Sequence, residues 1–256
     1  MKTEEAFLAD IIANPDDDAP RLIYADWLEE HGDEARAEFI RVQCEKARIV
    51  CWHDPERWDR LHDRELALFQ EHQTAWQAEL LKLGGRLAWE FERGFAGMVI
   101  VEDLATFRKH AAKVVRLAPV RKVRFLHLSA EDVAGLAEEP LLALFSRLDL
   151  SDLLLGDEGT VALMASPHLR QLKGLWLAHC GLGPAAAEAV AGTAALQGLL
   201  ELDLSDNHIL TRGARALVAS PHLRGLRILH LYHIRIDYRS KTARELRTWL
   251  GKGLRW

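Results

Sequence analysis

The chain has 256 residues, 49% of them hydrophobic, and 33 basic against 38 acidic side chains give a formal charge of −5. That length supports one large domain or two modest ones with proper cores, and the slight acidity argues against a general nucleic-acid or membrane-surface binder. The opening MKTEEAFLADII interrupts its apolar residues with acids, unlike a secretory signal, and no window approaches the ~18 to 20 uncharged apolar residues of a membrane span. The expectation is a soluble, cytoplasmic, globular protein.

In chain order, residues 3–83 read as helices. Thr3 is placed to cap a helix carrying Phe7, Leu8, Ile11 and Ile12, which Asn14-Pro15 ends. Asp18 is placed to cap the next, with Pro20 in its first turn and Gly32 just past its end. A third runs from Glu34 to Ala47. HDPERWDRLHDRELALFQ and QTAWQAELLKL read as two longer amphipathic helices, closed by Gly84-Gly85. LAWEFERGFAGMVIVE then alternates like a strand. This predicts a small all-helical head over 1–85 and a second domain over 86–256.

The second domain is organised by an internal repeat. FSRLDLSDLLL from Phe145, LKGLWLAHCGL from Leu172, LLELDLSDNHI from Leu199 and LRILHLYHIRI from Leu226 start 27 residues apart each time (172−145, 199−172, 226−199). ASPHLRQL at 165–172 recurs as ASPHLRGL at 219–226. VRFLHLSAEDV from Val123 reads as a fifth copy, 22 residues before the next, and a looser sixth begins at Phe95. Leu-x-Leu alternation marks a half-buried strand, with Leu202 and Leu204 inward and Asp203 outward. Alanine-rich stretches such as PAAAEAVAGTA and TRGARALVAS supply helices between the strands. KTARELRTWL places Ala243, Leu246, Trp249 and Leu250 on one helical face, suited to closing the array.

This pattern resembles the leucine-rich repeat, L-x-x-L-x-L-x-x-N/C-x-L, at the length of the ribonuclease-inhibitor-like class. Cys180 and Asn207 occupy its N/C slot, while Glu131, Leu153 and Ile234 depart from it. The resemblance implies an α/β solenoid with a parallel sheet, helices on the convex side and a concave face for partners. DDDAPRLIYADWLEEHGDEARAEFIRVQ, within residues 4–46, closely resembles the bacterial repeat-companion domain found at the head of such proteins, and WEFERGF resembles its linker. That second resemblance implies a bacterial origin and this architecture, but no chemistry.

A parallel repeat sheet stacks outward side chains in columns about 4.8 Å apart. The fifth repeat position gives His127, Asp149, Trp176, Asp203 and His230; the seventh adds Ser129, Ser151, Ala178, Ser205 and Tyr232; the eighth gives Ala130, Asp152, His179, Asp206 and His233. The expected face is therefore acidic and histidine-bearing, centred on Trp176, and suits a protein or peptide partner with cationic or aromatic side chains. His127, Asp149, Trp176, Asp203, His230 and Tyr232 are the candidate contact residues. The alternative is a metal-binding accessory protein or metal-dependent enzyme using Asp152, His179, Asp206 and His233, against which stands simple aspartate–histidine pairing along the ladder. GLGPAA at 181–186, with Asp203 beyond it, imitates a dinucleotide fingerprint, but the repeat accounts for all but its glycines. Asp16, Asp17 and Asp18 lack calcium-loop spacing and read as capping and solvated. Cys44, Cys51, Cys180 and His53 have neither disulfide-framework nor zinc-finger spacing. With no nucleophile–base–acid set recognisable, the reading is a binding protein without cofactor.

Overall fold

A computed structural model describes residues 3–49 and 53–255; Cys51 lies outside these residues. Among them are eight strands, mostly in a parallel arrangement, and eleven α-helices, which makes the chain an α/β protein. None of these helices is long and apolar enough to cross a membrane. The chain divides into two compact units, Met1–Ile100 with His110–Arg121, and Val101–Lys109 with Lys122–Trp256. The expected boundary after residue 85 falls inside the first unit, which also takes two strands and is not all-helical.

In the first unit, α1 (Glu4–Ala13), α2 (Ala19–Glu30), α3 (Glu34–Lys46) and α4 (Pro55–Trp76) precede a single turn, α5 (Ala78–Leu81). Two capping expectations need correction. Thr3 and Asp18 hold N-cap positions without side-chain capping bonds. Asp18 faces Arg48 at 2.8 Å and Arg93 at 3.5 Å instead, and Asp17 takes over by accepting the Ala19 N–H. The two helices expected over 53–83 are one 22-residue helix and a stub, because nothing between Gln70 and Trp76 breaks helical geometry. Phe7, Ile11, Tyr24, Leu28, Ile40 and Phe95 form the core.

The strands β1 (Leu87–Glu92) and β2 (Phe95–Val101) are joined through Arg93 and Gly94, both left-handed at φ 51° and 89°. A Cβ on Gly94 would stand 2.4 Å from Ile40 Cγ1, so only glycine lets this turn rest on α3. Two α3 side chains hold it there: Gln43 Oε1 accepts the Gly94 N–H at 2.6 Å, and Arg36 Nη2 donates to the Gly94 carbonyl at 2.5 Å. Arg36 and Gln43 are seven residues apart, hence on one helix face. The segments containing RAEFIRVQ and WEFERGF, singled out in the sequence, thus meet at one turn. Helix α6 (Leu104–Leu117) follows.

The second unit repeats strand, loop and helix: β3 (Lys122–Phe125), α7 (Ala130–Ala137), β4 (Arg147–Asp149), α8 (Gly156–Met164), β5 (Gly174–Trp176), α9 (Pro184–Gly192), β6 (Glu201–Asp203), α10 (Leu210–Ala219), β7 (Ile228–His230), α11 (Lys241–Leu250) and β8 (Leu254–Arg255). Strands β3 to β8 are parallel neighbours in chain order, and Leu148, Leu175, Leu202 and Leu229 stand side by side, each fully buried. Full burial of each such leucine contributes roughly 1.5–3 kcal/mol. Strand starts at 147, 174, 201 and 228 keep the 27-residue period. Ala243 and Leu246 of α11 are buried as expected, but the chain then returns to the sheet as β8, which the sequence pattern did not signal.

The turns leaving the strands are sealed by buried polar groups. Asn207 Oδ1 accepts from the N–H groups of Cys180 (3.1 Å) and Leu182 (3.0 Å), while its Nδ2 reaches the carbonyls of Leu177, Leu204 and Ser205 at 2.8–3.0 Å. Cys180 Sγ donates to Leu150 O at 3.1 Å, and burial pushes this thiol up to about 12. Truncating Asn207 orphans several buried backbone groups, whereas Cys180 gives up one weak donor. Asn207→Ala is expected to cost about 3 kcal/mol or more and Cys180→Ala about 1 kcal/mol in denaturant unfolding. Equal costs would show that the asparagine does not bind the turns together.

Candidate interaction surface on the parallel strands

The leucines point toward the helices, so the alternate strand residues occupy the opposite, open face. Register fixes them in two rows. One runs Lys122, Arg147, Gly174, Glu201, Ile228; the other runs Arg124, Asp149, Trp176, Asp203, His230, Arg255. Four expected residues, Asp149, Trp176, Asp203 and His230, do stand in one row.

His127 does not. Arg124 occupies its place, because Val123 pairs with Leu148 and the first strand is set 25 residues (145−120) before the next, not 22. The sequence VRKVRFLHL offers two overlapping apolar-x-apolar choices. The fold buries Val123 and Phe125 completely and leaves Leu126 46% exposed, so His127 falls in the exposed loop after the strand. The face also carries more cations than expected. Lys122, Arg124 and Arg147 crowd its first two strands, and acids dominate only at β6, in Glu201 and Asp203.

Trp176 is not an open platform. Its ring lies over Gly174, where a Cβ would come within 2.4 Å of the indole, and the Lys122 ammonium sits 4.2 Å from the ring centroid. Lys122 also meets Asp149 at 2.9 Å, and Asp149 is buried. The cation expected from a partner is therefore supplied by the protein itself. Asp149 and Asp203 each accept the N–H two residues on, from Ser151 at 3.1 Å and Ser205 at 2.8 Å, which fixes their side chains against the turn. On β6 and β7, Glu201 lies 3.5 Å from His230, and Tyr232, 38% exposed, has its ring 6.2 Å from that imidazole.

The eighth-position residues have a conformational role. Asp152, His179, Asp206 and His233 all adopt left-handed backbone, at φ 66°, 54°, 56° and 54°, a region that aspartate, asparagine and histidine tolerate better than most side chains. They pair two by two, His179 with Asp152 at 3.4 Å and His233 with Asp206 at 2.8 Å, and Arg124 joins Asp152 at 3.1 Å. Among the described residues, no three His, Cys, Asp or Glu side chains gather as a metal site. The glycines of 181–186 likewise have an internal role, since Asp157 Oδ1 accepts from Gly183 N–H (2.7 Å) and Ala186 N–H (3.0 Å), filling the helix start where a phosphate would bind. No protein-family model and no curated protein matches the chain.

Signals for the missed features were present. The lysine two residues before Arg124 is outward by simple alternation, and Gly174 two residues before Trp176 leaves room for a ring to lie down. A Lys122→Met/Trp176→Leu double-mutant cycle is expected to give a coupling of about 0.5–2 kcal/mol in unfolding experiments. Additive single effects would mean the ammonium does not rest on the indole.

Proposed function

We propose that this chain is a non-catalytic protein- or peptide-binding module of the bacterial cytoplasm. In this reading β3–β8 form a leucine-rich-repeat solenoid of the ribonuclease-inhibitor-like class, and a repeat-companion head precedes it. The exact 27-residue period of strand and helix, with leucines stacked in register, supports the repeat assignment. The tie between the RAEFIRVQ and WEFERGF segments through Arg36, Gln43 and Gly94 supports the head.

The observation that carries the binding reading is the second outward row, in which ionic and aromatic side chains from six neighbouring strands share one open face. Because Lys122 already covers Trp176, the partner's cationic groups belong on β6 and β7. There Glu201, Asp203 and Asp206 face solvent beside Ile228, His230 and Tyr232. The metal reading has less support, as its four candidate ligands form two separate pairs.

The test is capture of partners from a bacterial lysate by the full chain and by two variants. Glu201→Lys/Asp203→Lys is expected to lose the captured partner, with a reduction of tenfold or more, whereas Trp176→Leu retains most of it. Identical capture by wild type and the β6 variant would defeat the proposal.

A further inference from the structure

In the first unit, a cavity of about 450 Å³ is bounded by Glu4, Tyr24, Asp33, Arg36, His72 and Trp76, with Leu8, Leu80, Phe91 and Leu117 completing its apolar wall. Its size falls at the lower end of the roughly 300–1,000 Å³ typical of small-molecule sites. Among the described residues, Arg36 is the only lysine or arginine in that wall. Its guanidinium carbon lies 4.8 Å from the Trp76 ring centroid, 5.2 Å from Phe95, 5.7 Å from Phe39 and 5.8 Å from Phe91. Nη2 is used on the Gly94 carbonyl, while Nη1 is buried with no hydrogen-bond partner. Burial pushes this guanidinium down to about 10, so it remains charged at neutral pH.

A buried cation held by rings and one carbonyl, with no carboxylate bound to it, is costly and carries an unused donor. The turn of β1 and β2 explains Nη2 but not Nη1. The wall supplies the opposite charge nearby without neutralising it. Glu4 Oε1 accepts the Tyr24 hydroxyl at 2.9 Å, and Asp33 Oδ1 accepts the backbone N–H of Arg36, not its guanidinium. Burial, then the Glu4 hydrogen bond, holds the Tyr24 phenol well above its ordinary range, so it stays a neutral donor. One cationic group, three carboxylates (Glu4, Asp33 and Glu79) and an aromatic wall therefore converge on one space.

We infer that this cavity binds a small zwitterionic α-amino acid with an apolar or aromatic side chain. Its carboxylate is met by Arg36, its ammonium by Glu4 and Asp33, and its side chain lies against Trp76 and Leu80. A bare anion fits poorly, because the wall's carboxylates repel it. A bare cation leaves Arg36 as it is. The zwitterion satisfies both, and the site is independent of the strand face of the second unit.

Titration calorimetry of the full chain with L-phenylalanine, 3-phenylpropionate and phenethylamine tests this. L-phenylalanine is expected to bind, and each analogue, lacking one charge, to bind about tenfold or more weaker. Glu4→Gln keeps an acceptor for Tyr24 and is expected to weaken L-phenylalanine about tenfold while 3-phenylpropionate, relieved of one repelling carboxylate, binds no weaker than before. Arg36→Lys is expected to do the converse, sparing phenethylamine; should it unfold, Glu4→Gln alone still decides. No heat from L-phenylalanine at about 10 mM, or equal binding by either analogue, would overturn the inference.

Discussion

The second unit depends on one constraint: each circuit of chain must return the next Leu-x-Leu pair beside the last, one strand spacing away, with the polar backbone between them satisfied. The leucines provide the apolar drive, but they do not say how the chain leaves the strand. Asn207 does, since a single amide accepts two N–H groups from the preceding turn and reaches three carbonyls around it. Buried backbone polar groups are costly when unpaired, so this side chain and the leucine lattice are two halves of one requirement. Strand-to-strand backbone bonds, such as Asp152 N–H to Ala178 O, His179 N–H to Ser205 O and Asp206 N–H to Tyr232 O, run through these turns whichever residue holds the slot.

Much of this was legible in the residues. The spacing of Phe145, Leu172, Leu199 and Leu226 placed β4 to β7, and alternation placed Asp149, Trp176, Asp203 and His230 in one row. The register of β3 was not legible, because VRKVRFLHL holds two apolar pairs of equal quality locally. Only burial against Phe107 and Phe145, whose rings pack on and near Phe125, separates them. Similarly, β8 is two residues long and has no alternation to read.

The candidate site was legible as a location and less so as chemistry. Columns taken one position at a time show Trp176 as exposed, yet its environment is set by Lys122 two strands away and by the empty side-chain space of Gly174. The Asp/His column shows the converse. Its residue types look like ligands but satisfy a left-handed backbone first and one another second. In the first unit, α3 and the hairpin turn are separate segments of the sequence; their link runs through Arg36 and Gln43, which no periodicity pairs with Gly94.

The segment from Cys180 to Ala186 is tied from both directions: Asp157, one circuit earlier, caps its helix, and Asn207, one circuit later, closes its turn. Its path is thus specified by neighbours on either side more than by its own residues. An excised copy of this circuit would lack both clamps, so this circuit is not self-contained in the way its regular spelling suggests.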